Sequence, residues 1–274
     1  MQVLKRNGTL EFLDIDKLHK VVDWACEGID GVSTSEVEAK AQIKFFDGIK
    51  TSDVHQSLIV AAQDLIYQTP AYDLVAGRLL MFDIRKNAYG CHRPLPLEEL
   101  VKLNTERGVY SSFFLDNYTQ EQFKLFDSWI DHSRDFDYRI AGAREWESKY
   151  LNKYNGSFVE SPQIAYMLIS MLLFNKYIDE FGIGIIKTAY DVFSTGKVSL
   201  PSPIMRGVRT NKPQGASCVV IEAGDSLDSI SATTSAILKY ASNKAGLGVG
   251  VYNLRADGRP IRNGDAYTTG VIPF

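Results

Sequence analysis

The spacing of apolar residues changes near Gly215, and that change limits the folds this chain can adopt. Before Gly215, apolar residues recur every three or four positions, which is typical of helices with one buried face. After it, a short run rich in β-branched residues at 218–221 is followed by a helical segment at 226–244 and a second strand-like run at 248–254. A strand, a helix and a strand in succession indicate an α/β domain. The sequence therefore predicts a mainly α-helical part followed by the first strands of an α/β domain.

The first 90 residues are predicted to form a small unit of one hairpin and four helices. The hairpin spans 3–12, and Asn7 and Gly8 lie at its tip because this pair suits the positive φ angles of a type I′ turn. A second Asn-Gly pair predicts another hairpin within 150–159. The predicted domains are 1–90, a mainly helical region at 91–214, and the α/β part at 215–274.

The overall composition excludes some classes of protein. The chain has 274 residues, of which 45% are hydrophobic and 23% charged, which is ordinary for a globular protein. Its formal net charge of −3 offers no generally basic surface, so a general nucleic-acid binder is disfavoured.

The cysteines and the longest apolar run place the chain in a reducing compartment away from membranes. Cys26, Cys91 and Cys218 are odd in number and widely spaced, which fits neither a disulfide framework nor a zinc site. The apolar run at 164–174 is far shorter than the ~20 residues of a membrane-spanning helix, so it predicts a buried helix. We therefore expect a cytoplasmic protein with no metal ligands and no membrane contact.

A group of polar side chains in the first 90 residues is a candidate anion site. Cations near the hairpin and the first helix would neutralise a triphosphate, and Glu11 would accept hydrogen bonds from a base amino group or a ribose hydroxyl. Thr51 and His55 are four residues apart and so share one helix face. The candidate residues are Lys5, Arg6, Glu11, Lys17, Thr51, His55 and Lys86. Spacing alone favours a simpler interpretation, in which these are solvated surface charges and Thr51 caps a helix.

Residues 1–90 resemble an ATP cone, a small domain that binds ATP or dATP as a switch of enzyme activity. The similarity is carried by Val-Leu-Lys-Arg-Asn-Gly from Val3, Asp14-Ile-Asp-Lys-Leu-His, Gly48-Ile-Lys-Thr-Ser-Asp-Val-His and Arg85-Lys86. The resemblance implies that the seven candidate residues contact the nucleotide at an allosteric activity site.

The segment 200–230 resembles the first strand and helix of the catalytic barrel of a class I ribonucleotide reductase large subunit. The similarity is carried by Leu200-Pro-Ser-Pro-Ile-Met-Arg-Gly-Val-Arg-Thr and by Ala216-Ser-Cys-Val-Val-Ile-Glu-Ala-Gly-Asp-Ser-Leu-Asp-Ser-Ile. It implies a ten-stranded α/β barrel that reduces ribonucleoside diphosphates to deoxyribonucleotides, for DNA replication, by thiyl-radical chemistry.

The resemblance also implies roles for individual residues of this segment and its surroundings. Cys218 aligns with one member of the cysteine pair that supplies the reducing equivalents, whereas a lone strand cysteine is more commonly a small buried residue. The aligned substrate-binding positions are Ser202, Ser217, Ala245 and Gly246.

A second effector site, the specificity site, is implied by the same resemblance. It binds a deoxynucleoside triphosphate or ATP at a subunit interface and selects which base is reduced. Asp225 would take ribose hydroxyls while Arg255 and Arg262 take phosphates, although Asp225 also suits a helix N-cap, and the two roles are compatible. The matching residues are Asp225, Ser226, Leu227, Arg255, Ile261 and Arg262.

The resemblance implies partners, because the sequence ends within the barrel. We expect one piece of a split subunit, which assembles with a second chain carrying the C-terminal remainder and with a small subunit holding a dimetal-tyrosyl-type radical cofactor. Large subunits would self-associate, and thioredoxin or glutaredoxin would act through a tail that this chain lacks. The expected effectors are ATP, dATP and other deoxynucleoside triphosphates, with no covalently bound cofactor. The alternatives are a freestanding ATP/dATP-binding regulatory module without catalysis, and a non-catalytic chain that joins reductase oligomers.

Overall fold

The computed structural model describes residues 1–5, 8–91, 93–213, 215–242 and 245–273. The chain forms two compact units, Met1–Leu200 with Val208–Asn211, and Pro201–Gly207 with Lys212–Phe274. The first unit is mainly helical, and the second contains a strand, a helix and a strand in succession.

The first unit begins with the predicted hairpin and four helices, which are confirmed. The strands pair in the order β2-β1-β3, antiparallel between β1 and β2 and parallel between β1 and β3. Asn7, at the predicted hairpin tip, lies outside the described residues, and Gly8 has a φ of 83°. The elements are β1 (Gln2–Leu4), β2 (Leu10–Phe12), α1 (Ile15–Cys26), α2 (Thr34–Gln42), β3 (Ile49–Lys50), α3 (Thr51–Leu65) and α4 (Tyr72–Tyr89).

The remainder of the first unit surrounds one long apolar helix. The predicted buried helix is confirmed as α9, whose residues from Ile164 to Met171 are buried except Tyr166. The second hairpin is also confirmed, with positive φ angles of 50° at Asn155 and 82° at Gly156. The elements are α5 (Leu97–Glu106), α6 (Phe113–Asn117), α7 (Gln120–Trp129), a 3₁₀ turn (His132–Asp137), α8 (Ile140–Glu145), a π-helical turn (Trp146–Tyr150), β4 (Lys153–Tyr154), β5 (Ser157–Phe158), α9 (Pro162–Phe174), a short 3₁₀ turn (Asn175–Tyr177), α10 (Ile178–Phe181) and α11 (Gly184–Ser194).

A glycine lets α4 approach the helical region closely. A Cβ atom placed on Gly77 would lie 1.9 Å from the backbone oxygen of Tyr138. Only a residue without a side chain fits at this contact. The close approach fixes α4 against the segment that joins the 3₁₀ turn His132–Asp137 to α8.

A buried ion pair ties the segment Val208–Asn211 to the core of the first unit. Arg209 and Glu160 are both fully buried, and Nε of Arg209 lies 2.8 Å from Oε2 of Glu160. The same carboxylate accepts hydrogen bonds from the Tyr110 hydroxyl at 2.7 Å and from the backbone and side-chain nitrogens of Asn152 at 2.7 and 2.9 Å. These donors compensate for the loss of water around a buried charge.

The second unit contains the predicted strand, helix and strand, which confirms the beginning of an α/β fold. Strands β6 and β7 are parallel neighbours, with Cys218 opposite Gly246. The sequence predicts the second strand at 248–254, but it runs from Gly246 to Gly250. Beyond it, Leu254 donates to the carbonyl of Val251 and closes a turn. The elements are α12 (Ser202–Gly207), β6 (Cys218–Glu222), α13 (Leu227–Ser242), β7 (Gly246–Gly250), β8 (Pro260–Ile261), a 3₁₀ turn (Arg262–Gly264) and β9 (Ala266–Tyr267).

Among the described residues, no helix combines the length and the apolar character that a membrane crossing requires.

Replacing Gly77 with alanine should destabilise the first unit. The added methyl group overlaps the Tyr138 carbonyl, so we expect the free energy of unfolding to fall by about 3 kcal/mol. Denaturant unfolding followed by tryptophan fluorescence measures it, because all three tryptophans lie in this unit. The matched control is Gly184→Ala, where nothing lies within 4 Å of the new Cβ atom and stability should change by less than about 1 kcal/mol. Equal effects of the two changes would contradict the packing argument.

Replacing Glu160 with glutamine should destabilise the same unit through charge rather than volume. The Arg209 guanidinium would remain buried without its counter-charge, and the expected loss is about 3 to 5 kcal/mol in the same unfolding experiment. Glu145→Gln is the control, because its ion pair with Lys149 is exposed and should be worth less than about 1 kcal/mol. A loss no larger than that of the control would show that the buried pair does not stabilise the unit.

Candidate functional site

A cavity of about 980 Å³ opens in the first unit between the hairpin, α1, α3 and α4. Its walls combine apolar side chains, such as Val21 and Leu58, with a ring of charged ones. The hairpin and α1 form one side, while α3 and α4 form the other. Gly90, Arg93 and Phe136 complete the lining from segments beyond α4.

The cavity brings together most of the residues predicted to bind a nucleotide at the activity site. The six that the structure describes all line it, although they come from five different elements or loops. They are Lys5, Glu11, Lys17, Thr51, His55 and Lys86. The seventh, Arg6, lies outside the described residues.

The charge around the cavity favours an anionic ligand. Its described lining carries six cationic side chains and three acidic ones, in a chain whose net charge is −3. A local excess of positive charge concentrates anions from solution. The cationic residues are Lys5, Lys17, Lys20, Arg85, Lys86 and Arg93, and the acidic residues are Glu11, Asp14 and Asp83.

Two ion pairs involve lysines of the cavity lining. The Lys5 ammonium lies 2.9 Å from Oε1 of Glu11, and the Lys17 ammonium lies 3.0 Å from Oδ2 of Asp14. The backbone and side chain of Lys17 hydrogen-bond to Asp14 and lower the pKa of its carboxyl, while Asp14 raises the pKa of Lys17. All four groups are solvent-accessible, so these pairs are weak and a polyanion can replace the carboxylates as the partner of the lysines.

His55 is held in one orientation at the cavity wall. Its Nε2 lies 2.8 Å from the backbone oxygen of Leu79, so Nε2 must donate the hydrogen bond. The imidazole also stacks on Phe82, with 5.5 Å between ring centroids and 18° between ring planes. A flat, fixed surface of this kind suits contact with a base or a ribose.

Other lining residues were not predicted from the sequence. Lys20 and Trp24 follow Lys17 at intervals of three and four, so the helical face of α1 could have revealed them. Arg93 and Phe136 come from separate segments, and no local sequence pattern marks them.

The second unit gathers four of the five residues predicted to bind substrate or supply reducing equivalents. Cys218 is the first residue of β6, and its side chain is exposed in this chain. Gly246 donates its N–H to the Ser217 carbonyl at 2.8 Å, and Ala245 precedes it. A Cβ atom on Gly246 would lie 3.4 Å from the Cys218 sulfur, so this glycine leaves space beside the thiol. The fifth residue, Ser202, lies outside this sheet, as the first residue of α12 in the same unit.

The predicted specificity-site residues cluster around one ion pair. Nε of Arg255 lies 2.7 Å from Oδ2 of Asp225, and the Arg255 backbone N–H donates to Oδ1 of the same carboxylate. Arg255 also donates to the carbonyl of Pro260, next to Ile261 and Arg262. The structure thus pairs Arg255 with the Asp225 carboxylate, and Arg262 follows two residues after Pro260 in the chain.

The expected helix cap at Asp225 is not observed. The Ser226 hydroxyl accepts the N–H of Ser229 in the first turn of α13 and so caps this helix. The Asp225 carboxylate instead binds Arg255, and Leu227 begins the helix with an exposed side chain.

Three family models match successive parts of the chain. The ATP cone domain matches residues 1–87, the all-alpha domain of ribonucleotide reductase matches 136–213, and its barrel domain matches 216–274. The cavity in the first unit is lined mainly by residues of the first match, and the Cys218 sheet lies within the third.

The relatives of the chain are reductase subunits. Ribonucleoside-diphosphate reductase 1 subunit alpha of Escherichia coli K12 is 48% identical over 275 residues, which is 99% of this chain and 36% of the relative. The ribonucleoside-diphosphate reductase subunit alpha of Haemophilus influenzae is 47% identical over the whole chain and 37% of the relative, and that of Enterobacteria phage T4 is 38% identical over the whole chain and 36% of the relative. The chain thus spans little more than a third of the length of these relatives, and it belongs to the family of ribonucleotide reductase large (alpha) subunits.

Proposed function

We propose that this chain supplies the nucleotide-sensing region and one reducing cysteine of a ribonucleoside-diphosphate reductase large subunit. The complete subunit would reduce ribonucleotides to deoxyribonucleotides by thiyl-radical chemistry. The observation that carries the proposal is the convergence of six activity-site candidates on one positively charged cavity of about 980 Å³.

ATP and dATP are the proposed ligands of this cavity. The lysines at the hairpin, on α1 and on α4 would bind the phosphates, for which a cluster of flexible ammonium groups is well suited. Glu11 would accept hydrogen bonds from the base or ribose once its lysine partner turns to a phosphate. Thr51 and the fixed ring of His55 would contact the nucleoside from α3.

Cys218 is the proposed reductant of this chain. Two cysteine thiols give up two electrons and two protons and become a disulfide, while the 2′-hydroxyl of the ribose leaves as water. A thiol at a strand end, beside a glycine that leaves space next to the sulfur, suits this chemistry. Ser202, Ser217, Ala245 and Gly246 are the proposed substrate-contacting positions.

The surface around Asp225 and Arg255 is the proposed specificity site for a deoxynucleoside triphosphate. The ion pair preorganises a carboxylate for ribose hydroxyls beside a guanidinium for phosphates. Ser226 and Leu227 lie at the start of α13, and Ile261 and Arg262 lie beyond Pro260.

The proposed activity requires partners that carry the other groups. These are the remainder of a reductase large subunit, on the same or a second polypeptide, and a small subunit with a dimetal-tyrosyl-type radical cofactor. We also propose self-association of large subunits, re-reduction by thioredoxin or glutaredoxin, and a cytoplasmic location.

Replacing Lys86 with alanine should weaken binding of ATP and dATP at least tenfold, because a phosphate would lose a charge-assisted hydrogen bond. Titration calorimetry on the chain measures the affinity directly. The control is Lys44→Ala, a lysine that does not line the cavity, and it should bind as the unmodified chain does. Equal affinities for the two variants would argue against the cavity as the nucleotide site.

Replacing Cys218 with serine should abolish deoxyribonucleotide formation in an assembly reconstituted with the remaining barrel and a radical-bearing small subunit. Serine cannot form the disulfide that completes the reduction. Cys91→Ser is the control, since this exposed cysteine lies in the other unit and activity should persist. Unchanged turnover by the Cys218 variant would exclude its reductant role. A chain that binds dATP but supports no turnover in any assembly would instead fit a freestanding regulatory module.

A further inference from the structure

The nucleotide cavity and a buried polar cluster share a wall at Arg85. This residue lines the cavity, yet its side chain is almost wholly buried. Nη1 of Arg85 donates to the backbone oxygen of His132 at 3.0 Å and lies 3.6 Å from Oδ2 of Asp135. The guanidinium also lies over the Phe136 ring, 4.9 Å from its centroid.

One short turn of the helical region faces both the cavity and Arg85. Phe136 follows Asp135 in the 3₁₀ turn His132–Asp137, and it lines the cavity. Its ring meets that of Trp24, another lining residue, edge to face at 4.8 Å. The turn therefore supplies an aromatic surface to the cavity and a carboxylate to the arginine in its wall.

Asp135 is fully buried and only partly satisfied. Its Oδ1 accepts the N–H of Gln163, in the first turn of α9, at 3.1 Å. Its Oδ2 makes no hydrogen bond to the residues that the structure describes, and the Arg85 contact at 3.6 Å is too long to be one. An ionised carboxylate that is buried without full hydrogen bonding lowers the stability of the fold. Such a group is a candidate for a functional role.

We propose that Asp135 is a positioning residue of the nucleotide cavity, which holds the Arg85 guanidinium at the wall and competes with a bound triphosphate for its charge. This inference rests on the proposed binding of ATP or dATP in the cavity. By linkage the effect is reciprocal: ionised Asp135 weakens nucleotide binding, and a bound nucleotide disfavours the ionised form of Asp135.

The charge state of Asp135 can change near neutral pH. Burial raises the pKa of Asp135 to about 6, while the nearby Arg85 opposes this rise. Below this value the carboxyl is neutral and no longer competes with the phosphates for the charge of Arg85, so the Asp135 contribution favours binding at low pH and is lost as pH rises through about 6.

Four neighbours of Asp135 with shifted pKa values keep their charge state in this range. Burial raises the pKa of Tyr89 on α4 and of Tyr138, and burial and Arg85 lower the pKa of His132 to about 4, so all three are neutral. Asp131 on the same turn remains ionised, because hydrogen bonds from Ser133 lower its pKa. Glu160, which precedes α9, is paired with Arg209.

Titration calorimetry of the 274-residue chain with dATP, at about pH 5.5 and about pH 7.5, tests the inference. Asp135→Asn mimics the neutral carboxyl, so it should bind dATP about fivefold more tightly than the unmodified chain at the higher pH and equally at the lower. The matched control is Asp131→Asn, a carboxylate on the same turn that pairs with Arg134 and should follow the unmodified chain at both pH values.

The outcomes distinguish failure of the Asp135 inference from failure of the proposed nucleotide binding. Wild-type affinity of Asp135→Asn at both pH values, with dATP still bound, overturns the positioning role alone. Absence of dATP binding to the unmodified chain refutes the proposed function and this inference with it.

A measurement on the unmodified chain covers the case in which Asp135→Asn does not fold, as judged by near-ultraviolet circular dichroism. Carbon-13 NMR of the Asp135 carboxyl should give a higher pKa with dATP bound than without it. An unchanged pKa would overturn the inference.

Discussion

The buried carboxylate of Glu160 is the interaction on which the first unit depends most. It accepts hydrogen bonds from Arg209 in the segment Val208–Asn211, from Tyr110 in the loop between α5 and α6, and from Asn152 in the turn before the second hairpin. Two charges removed from water are tolerated only when hydrogen bonds surround them, and these donors meet that condition. Because Ser161 and Pro162 follow directly, the pair also fixes where the apolar helix α9 begins.

The cavity in the first unit is not confined to the small domain at the start of the chain. The ATP cone match ends at residue 87, yet Arg93 and Phe136 line the cavity from beyond it. Helix α4 makes this arrangement possible, since Gly77 brings its backbone against Tyr138 and Arg85 extends from its last turns to Asp135. Residues of the helical region are therefore part of the cavity wall, and a ligand bound there would meet residues of both regions.

Local patterns predicted much of the fold, for reasons visible in single residues. The Asn155-Gly156 pair adopts the positive φ angles that its chemistry favours. The run at 164–174 forms a buried helix because its side chains are almost all apolar. The sequence pattern predicts the second strand of the second unit too far along the chain, at 248–254 instead of Gly246–Gly250. A glycine-rich strand lacks the side-chain alternation that marks strand ends. The cap of α13 was assigned to Asp225 rather than Ser226 because the competing partner, Arg255, lies thirty residues away.

The sequence by itself determined the order of hairpin, helices and first barrel strands, and it indicated which cations are candidates to bind an anion. These features depend on periodicity, turn chemistry and residue type, which act between near neighbours in the chain. Tertiary structure alone decided that Phe136 and Arg93 complete the cavity, that Arg85 faces Asp135, and that the Cys218 thiol lies beside Gly246. The physical reason is that burial and charge pairing depend on which distant segments pack together, and no local pattern encodes those distances.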